Sequence, residues 1–372
     1  MTAPADARLP RMRDVYLAGT GLACALGLDL PASVDALRRG GVRPMPLSVA
    51  EGHAWPVYTL PAAPTATPWL DRARDVIQRV ALESGALATA RTGPLFVASS
   101  SHDVGHREQA THFGGDVLEF ADRIALWLDW SGPVYAVSTA CTSSMNALLS
   151  AAALLRQGEA DDALVLGVEL GNRLTVAGFG AMQLLAPESA EPCGAERKGL
   201  VLGEAVAALH LSSTPARWRL AGGANVVDGR DPAGAVADAV EAMCRAALAQ
   251  SGLRPSDVGL VKPQVSGSPA NDAVEVEALR RVFSPLPPMV SFKASIGHAL
   301  GAAGAAEIAL LLACLEAGDG AWPQTDYPMD EALQVVLSPH APRPLRHLLT
   351  SIIGFGGGHT AVVLEDGEGI TA

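Results

Sequence analysis

The feature that most constrains this chain is an echo between its two halves. In the first, Ser138-Thr-Ala-Cys141 opens a run of alanine and leucine that ends near Gly158-Glu159. In the second, Ser295-Ile-Gly-His298 opens another, over residues 299–315, that ends near Glu316-Ala317-Gly318. Each half thus sets a reactive side chain at the start of a buried, small-residue helix. Small residues let such helices pack closely in the middle of a layered structure. Two similar halves sharing one central site account for the repeat.

Cys141 is the most chemically loaded residue of this pattern. Residues 133–137 read as a short buried strand and 145–155 as a buried helix, so the thiol lies at a strand-to-helix junction. Unpaired backbone N–H groups and the positive end of the helix dipole stabilise a thiolate at such a place. A thiolate there is a nucleophile. The alternative reading is a small buried cysteine filling space among small neighbours.

The rest of the chain alternates strand and helix. Strands are expected over residues 14–22, 93–99, 133–137, 163–169, 218–225, 258–265, 289–292, 349–355 and 359–364, with a β-pair over 200–211. Helices are expected over 31–39, 70–92, 117–130, 235–251, 272–282 and 301–317, and a proline-rich loop over 44–68. This alternation predicts an α/β fold with largely buried sheets. Residues 212–216 read as a midpoint linker, dividing the chain into halves at 12–213 and 216–368 that form one compact unit.

Composition narrows the function classes. A net charge of −12 argues against nucleic-acid binding and against a polybasic membrane role, while one local basic patch suffices to dock an acidic carrier. The five cysteines are odd in number and scattered, which fits reduced thiols of a cytoplasmic protein better than a disulfide frame or a zinc site. No basic n-region followed by an apolar stretch marks the start as a signal peptide. The longest apolar helix, around 302–315, is interrupted by Glu307 and reads as too short to span a bilayer.

Six segments in order carry a resemblance: residues 14–27, 131–144 around Cys141, Ala177-Gly-Phe-Gly-Ala-Met182, Glu196-Arg-Lys-Gly-Leu-Val-Leu-Gly-Glu204, Phe292-Lys-Ala-Ser-Ile-Gly-His298 and Ile353-Gly-Phe-Gly-Gly-Gly358. Over nearly its whole length the chain resembles the β-ketoacyl synthases of the thiolase-fold superfamily. The resemblance implies a five-layer αβαβα fold of two pseudo-duplicated halves, usually dimeric, with an acyl chain carried on Cys141 as a thioester. An extender on acyl carrier protein would lose carbon dioxide, and its carbanion would attack that thioester. By the same resemblance His298 stabilises the developing enolate or assists decarboxylation, Lys293 organises the site electrostatically and Glu275 is a buried glutamate near that lysine. Backbone N–H groups of Cys141 and Phe355 form the oxyanion hole. Phe179, Met182 and Phe355 line the acyl pocket, and Ser266 and Ser268 hold the pantetheine arm. No resident cofactor or metal is implied, the phosphopantetheine arriving on the carrier.

One position departs from the pattern. The family's other catalytic histidine opens a His-Gly-Thr-Gly-Thr run, and this chain has Gln264-Val265-Ser266-Gly267-Ser268 instead. A carboxamide donates a neutral hydrogen bond but is no general base near neutral pH. Three readings follow: a decarboxylating condensing enzyme of fatty-acid or polyketide synthesis, a non-elongating acyl transferase, and a chain-length-factor-like subunit of a heterodimer. Retained Cys141, Lys293 and His298 favour the first two, and Gln264 favours the last two. Lesser candidates are His102, His106 and His112, which read as a polar loop rather than a metal site. His359 reads as a surface or supporting residue. Gly356-Gly357-Gly358 lacks the context of a phosphate cradle.

Overall fold

The computed structural model describes residues 12–61, 67–109, 116–318 and 320–370. The strands in chain order are β1 (Tyr16–Cys24), β2 (Met45–Ala50), β3 (His53–Tyr58), β4 (Leu95–Ala98), β5 (Val134–Val137), β6 (Asp162–Glu169), β7 (Leu202–Gly203), β8 (Ala205–Ser212), β9 (Trp218–Val227), β10 (Leu260–Lys262), β11 (Leu345–Ile353) and β12 (Gly358–Ile370). Nine of them form one sheet in the order β10-β11-β12-β9-β1-β8-β6-β4-β5.

That sheet is two copies of one topology. On one side β5, β4 and β6 run parallel, and β8 and β1 follow antiparallel. On the other, an isolated bridge at Met289 lies parallel beside β10, which is parallel to β11, and β12 and β9 follow antiparallel. Numbered from its own first strand, each set has the order 3-2-4-5-1. The copies join where β1 meets β9, pairing Tyr16 with Arg219 and Leu17 with Trp218.

Helices on both faces explain why strands such as β6 and β8 are almost continuously buried rather than alternating. Trp69–Glu83 and Val117–Trp127 cover the outer face of the first set. Ser143–Gln157 and Ala303–Ala317 fill the centre, where they share one large apolar core with both sets. Ala237–Ser251 and Pro269–Val282 cover the outer face of the second. The layers therefore run αβαβα.

Several local expectations are corrected. The proline-rich segment over 44–68 contains a hairpin, β2–β3, extended to three strands by β7. Pro46 and Pro56 sit opposite each other there, Pro46 on an edge strand and Pro56 just before β3 begins to pair with β7 at Val57, so neither missing N–H breaks the short ladder to β7. The strand expected over 289–292 shrinks to the bridge at Met289, because the chain turns at Phe292 into the short helix Lys293–Ile296. The segment 177–182 lies on and just after the helix Arg173–Ala181, whose N-terminus is capped by Asn172 accepting from the Thr175 N–H at 2.7 Å. The helical run Leu300–Ala317 is longer than expected. By length and composition alone it could cross a membrane, but 83% of it is buried inside the protein.

Candidate active site

Cys141 sits in a tight elbow between β5 and the helix Ser143–Gln157. Ala140 just before it adopts a left-handed backbone, φ 52°, which is costly for a residue with a Cβ. Hydroxyls hold the turn. Ser143 Oγ accepts from the Thr139 N–H at 2.9 Å and donates to the Ala140 carbonyl at 2.6 Å. Thr142 Oγ1 donates to the Thr139 carbonyl at 2.7 Å. Ser138-Thr-Ala-Cys-Thr-Ser thus supplies its own braces.

The thiol is 5% exposed. Burial pushes its pKa up to about 11; the charge of Lys293 and the N–H groups of Phe355 and Cys141 pull it down, and Glu169 pushes it up. This corrects the expectation of a thiolate stabilised at rest by the helix dipole. Cys141 precedes Thr142, the cap of the helix, and desolvation outweighs the favourable charges. The resting group is a thiol with two backbone donors aimed at its sulfur.

Across the interface between the halves, His298 Nε2 lies 3.0 Å from Cys141 Sγ. Its other nitrogen, Nδ1, lies 3.0 Å from Lys293 Nζ. With an ammonium at Lys293, Nδ1 accepts and Nε2 carries the hydrogen facing the sulfur. Burial, then the charges of Lys293 and Lys262, hold the His298 pKa well below the usual imidazole range, so the ring is neutral. The backbone of His298 is clamped by the strand before it: its N–H donates to Val201 at 2.7 Å and its carbonyl accepts from Gly203 at 3.0 Å. Tyr58 tethers the helix that carries Lys293, donating to the Ala294 carbonyl at 2.5 Å.

The carboxylate behind Lys293 is Glu307, which bonds both Lys293 Nζ and Lys262 Nζ. Glu275, expected near the lysine, does a different job. It accepts from the backbone N–H groups of Gln264 and Val265, each at 2.8 Å, and from Ser351 Oγ at 3.1 Å. Burial pushes its pKa up to about 7. Asp272 holds the next two N–H groups, of Ser266 and Gly267, at 2.9 and 3.0 Å. Two buried carboxylates therefore fix the loop that presents Gln264. Glu307 and Lys262 were legible only as charges interrupting apolar runs, a signal that marks a buried pair.

Gln264, His298, Ser266, Phe179 and Phe355 surround Cys141 in a cavity of about 30 Å³. The Gln264 Oε1 is buried in it without a hydrogen-bond partner. The rings of Phe179 and Phe355 stack, with centroids 5.5 Å apart and planes 12° from parallel. Phe355 rides on a turn whose Gly356 and Gly357 have φ of 79° and 77°; a Cβ on Gly357 would fall 1.6 Å from the Asp228 carbonyl oxygen. Two expected residues lie apart from this cavity. Met182 caps the end of its helix and is 51% exposed, and Ser268 caps the helix Pro269–Val282 instead of facing Cys141. A larger cavity of about 1100 Å³, between β2–β3 and the helix Arg173–Ala181, does not include Cys141.

Other candidates separate from the site. His359 is 1% exposed, not a surface residue, with Nδ1 unpartnered and its pKa lowered by burial. His102 is buried, and His112 lies outside the described residues. Among the described residues no three His, Cys, Asp or Glu side chains are grouped to hold a metal ion.

A buried thiol, two N–H donors and a histidine–lysine pair meet at the centre of an αβαβα core, the arrangement of a thiolase-fold condensing-enzyme scaffold. The chain belongs to the β-ketoacyl synthase family: the family's N-terminal domain profile matches residues 78–216 and its C-terminal domain profile residues 220–325. It is 34% identical over 220 residues to Nodulation protein E of Rhizobium sp. (strain N33), covering 55% of this chain and 54% of that protein. It is 32% identical over 297 residues to "Putative polyketide beta-ketoacyl synthase 1" of Streptomyces halstedii, covering 72% and 69%. The match therefore spans about half the length of the first of these relatives. The fold is shared with a chain of a solved complex between a ketosynthase and its chain length factor from Xenorhabdus doucetiae, at TM-score 0.83 and 23% identity, covering 98% of this chain and 100% of that one.

Proposed function

We propose that the protein is an acyltransferase of the 3-oxoacyl-[acyl carrier protein] synthase type, acting in fatty-acid or polyketide synthesis. The observation that carries the reading is the run from Cys141 Sγ through His298 to Lys293, with 3.0 Å at each step. In the first step Cys141 Sγ attacks the carbonyl of a carrier-bound thioester. The N–H groups of Cys141 and Phe355 hold the oxyanion, and the pantetheine sulfur leaves and takes the proton given up by the thiol. In the second step a malonyl-type extender loses carbon dioxide. The electron pair of the broken C–C bond becomes an enolate, whose oxygen accepts from His298 Nε2–H. The enolate carbon attacks the acyl carbonyl on Cys141, the C–S bond to Cys141 breaks, and the released sulfur takes a proton from water.

The phosphopantetheine belongs to the carrier substrate, and the reading needs no resident cofactor. Gln264 and Ser266 line the cavity around Cys141, where the extender would sit. The halves 12–213 and 216–368 work as one unit, since one supplies the nucleophile and the other the histidine. A cytoplasmic setting fits five free cysteines, all buried. The edge strand β5, one element before the nucleophile, is the natural seam for a homodimer or for a heterodimer with another ketosynthase.

Gln264 specifically favours two other readings: a non-elongating transferase, in which Cys141 is loaded but the chain does not condense, and a non-catalytic, chain-length-factor-like partner. Incubation with acyl carrier protein thioesters, followed by intact mass, tests the nucleophile. One acyl adduct that disappears in Cys141→Ala supports the enzymatic readings. A folded protein with no adduct at any chain length leaves only the partner role.

A further inference from the structure

Lys262 is 0% exposed, yet its side chain has no place in the chemistry described so far. It lies on β10, two residues before Gln264, and its Nζ bonds Glu307 Oε2. The other oxygen of the same carboxylate bonds Lys293 Nζ. Two buried lysines thus share one carboxylate, and one of them touches His298. In a low-dielectric interior a cation beyond the number of paired anions is expensive, and its field on nearby groups is strong.

We propose that Lys262 is a positioning residue for the catalytic pair, supplying a surplus positive charge behind Glu307 that favours the anionic form of Cys141 and keeps His298 uncharged. The inference rests on the reading of Cys141 as the acyl-carrying thiol. The groups that face this cluster come from every packed element. Lys293 precedes His298, Glu307 comes from the central helix, Glu275 from Pro269–Val282, and Glu169 from β6 beyond Cys141. Glu275 compensates only in part near neutral pH, because burial pushes its carboxyl up to about 7. Burial lowers the pKa of Lys262 itself while the Glu307 carboxylate raises it, and after burial and Lys293 the charge of Lys262 also lowers the His298 pKa.

The arrangement fits the substitution at position 264. A carboxamide there contributes no charge to a developing anion, and Lys262 brings a cation into the same loop from the strand that leads to it. The gain is electrostatic and acts through Glu307, Lys293 and His298 rather than by contact with substrate.

The test is the rate at which iodoacetamide alkylates Cys141 across pH 7–9, followed by peptide mass. It needs no acyl carrier protein and no turnover, so it stands apart from the acylation experiment. Lys262→Gln keeps a hydrogen-bond donor toward Glu307, and Lys262→Met keeps neither donor nor charge. We expect both to slow alkylation at each pH by about threefold or more, equivalent to about half a pH unit. Lys262→Gln matching the wild type, whatever Lys262→Met does, would show that the hydrogen bond and not the charge matters, and overturns the proposal. Failure of both variants to fold overturns it as well, because removing a surplus cation leaves Glu307 paired with Lys293.

Discussion

Ser144 Oγ accepts a hydrogen bond from the backbone N–H of Ala305 at 3.1 Å. This bond ties the first turn of the helix after Cys141 to the first turn of the helix after His298. Close by, a Cβ on Gly304 would lie 2.3 Å from Met145 Cγ, so the two helix starts are in direct contact. Cys141 in its elbow and His298, held by Val201 and Gly203, both lie just ahead of these helix starts, so the contact between the helices fixes how the two segments approach each other.

Because burial pushes Cys141 up to about 11, the free thiol should show no neutral-pH plateau in its alkylation. The rate should climb about tenfold per pH unit from pH 7 to 9, tracking the thiolate fraction. A plateau starting below pH 8 would mean an ion pair between Cys141 and His298 instead. The sign for stability follows from the same shift. The folded state holds this proton more tightly than an unfolded thiol near 9.0, so its contribution to stability falls as pH rises from there toward 11.

Replacing Gln264 by histidine restores a second imidazole beside the cavity. Carbon dioxide release from malonyl carrier protein is expected to rise by about 10²–10³, the usual worth of one oxyanion-type donor. Acylation of Cys141 should stay nearly unchanged, since Gln264 makes no bond to the sulfur. Wild-type condensation at full rate with no gain from histidine would assign the missing donor to another group.

Glu307→Gln leaves two buried lysines without their carboxylate. Breaking a buried pair by removing one partner costs about 3–5 kcal/mol, and urea unfolding monitored by circular dichroism should record a loss in that range. A variant as stable as the wild type would show that the cluster is solvated or uncharged.

The edge strand β5 carries Tyr135, 42% exposed, and the adjacent helix exposes Leu118 and Leu126 at 47% and 80%. Size-exclusion with light scattering should give a two-fold pair, an interface of this kind commonly burying more than about 2,000 Å². A homodimer that condenses alone fits the main reading. Rescue of an insoluble chain by co-expression with a second ketosynthase fits the partner role. A well-behaved active monomer contradicts the expected assembly.

The sequence displayed the local parts of this site better than the long-range ones. Cys141 announced itself through its strand-to-helix setting and small neighbours, and Lys293 and His298 stand close together in one short motif. The partners of those groups were harder to read. Glu307 follows Lys293 by a helical turn and several residues more, and Lys262 reaches it from another strand, so only folding reveals that they meet. Ser268 and Met182 were misplaced for local reasons, one taken up as a helix cap and the other carried past the end of its helix to solvent. The hairpin over 45–58 was hidden by prolines whose missing donors fall where no long ladder needs them.

The repeated strand order has a consequence for how such a chain can change over generations. Both copies keep the same architecture, but only one retains the sulfur and only the other the imidazole. The two copies divide the labour, and neither can be lost or exchanged by itself without dismantling the other's chemistry. Position 264, held on a braced loop inside the shared cavity but on neither helix start, is a place where a side chain can be exchanged without moving the sulfur or the imidazole.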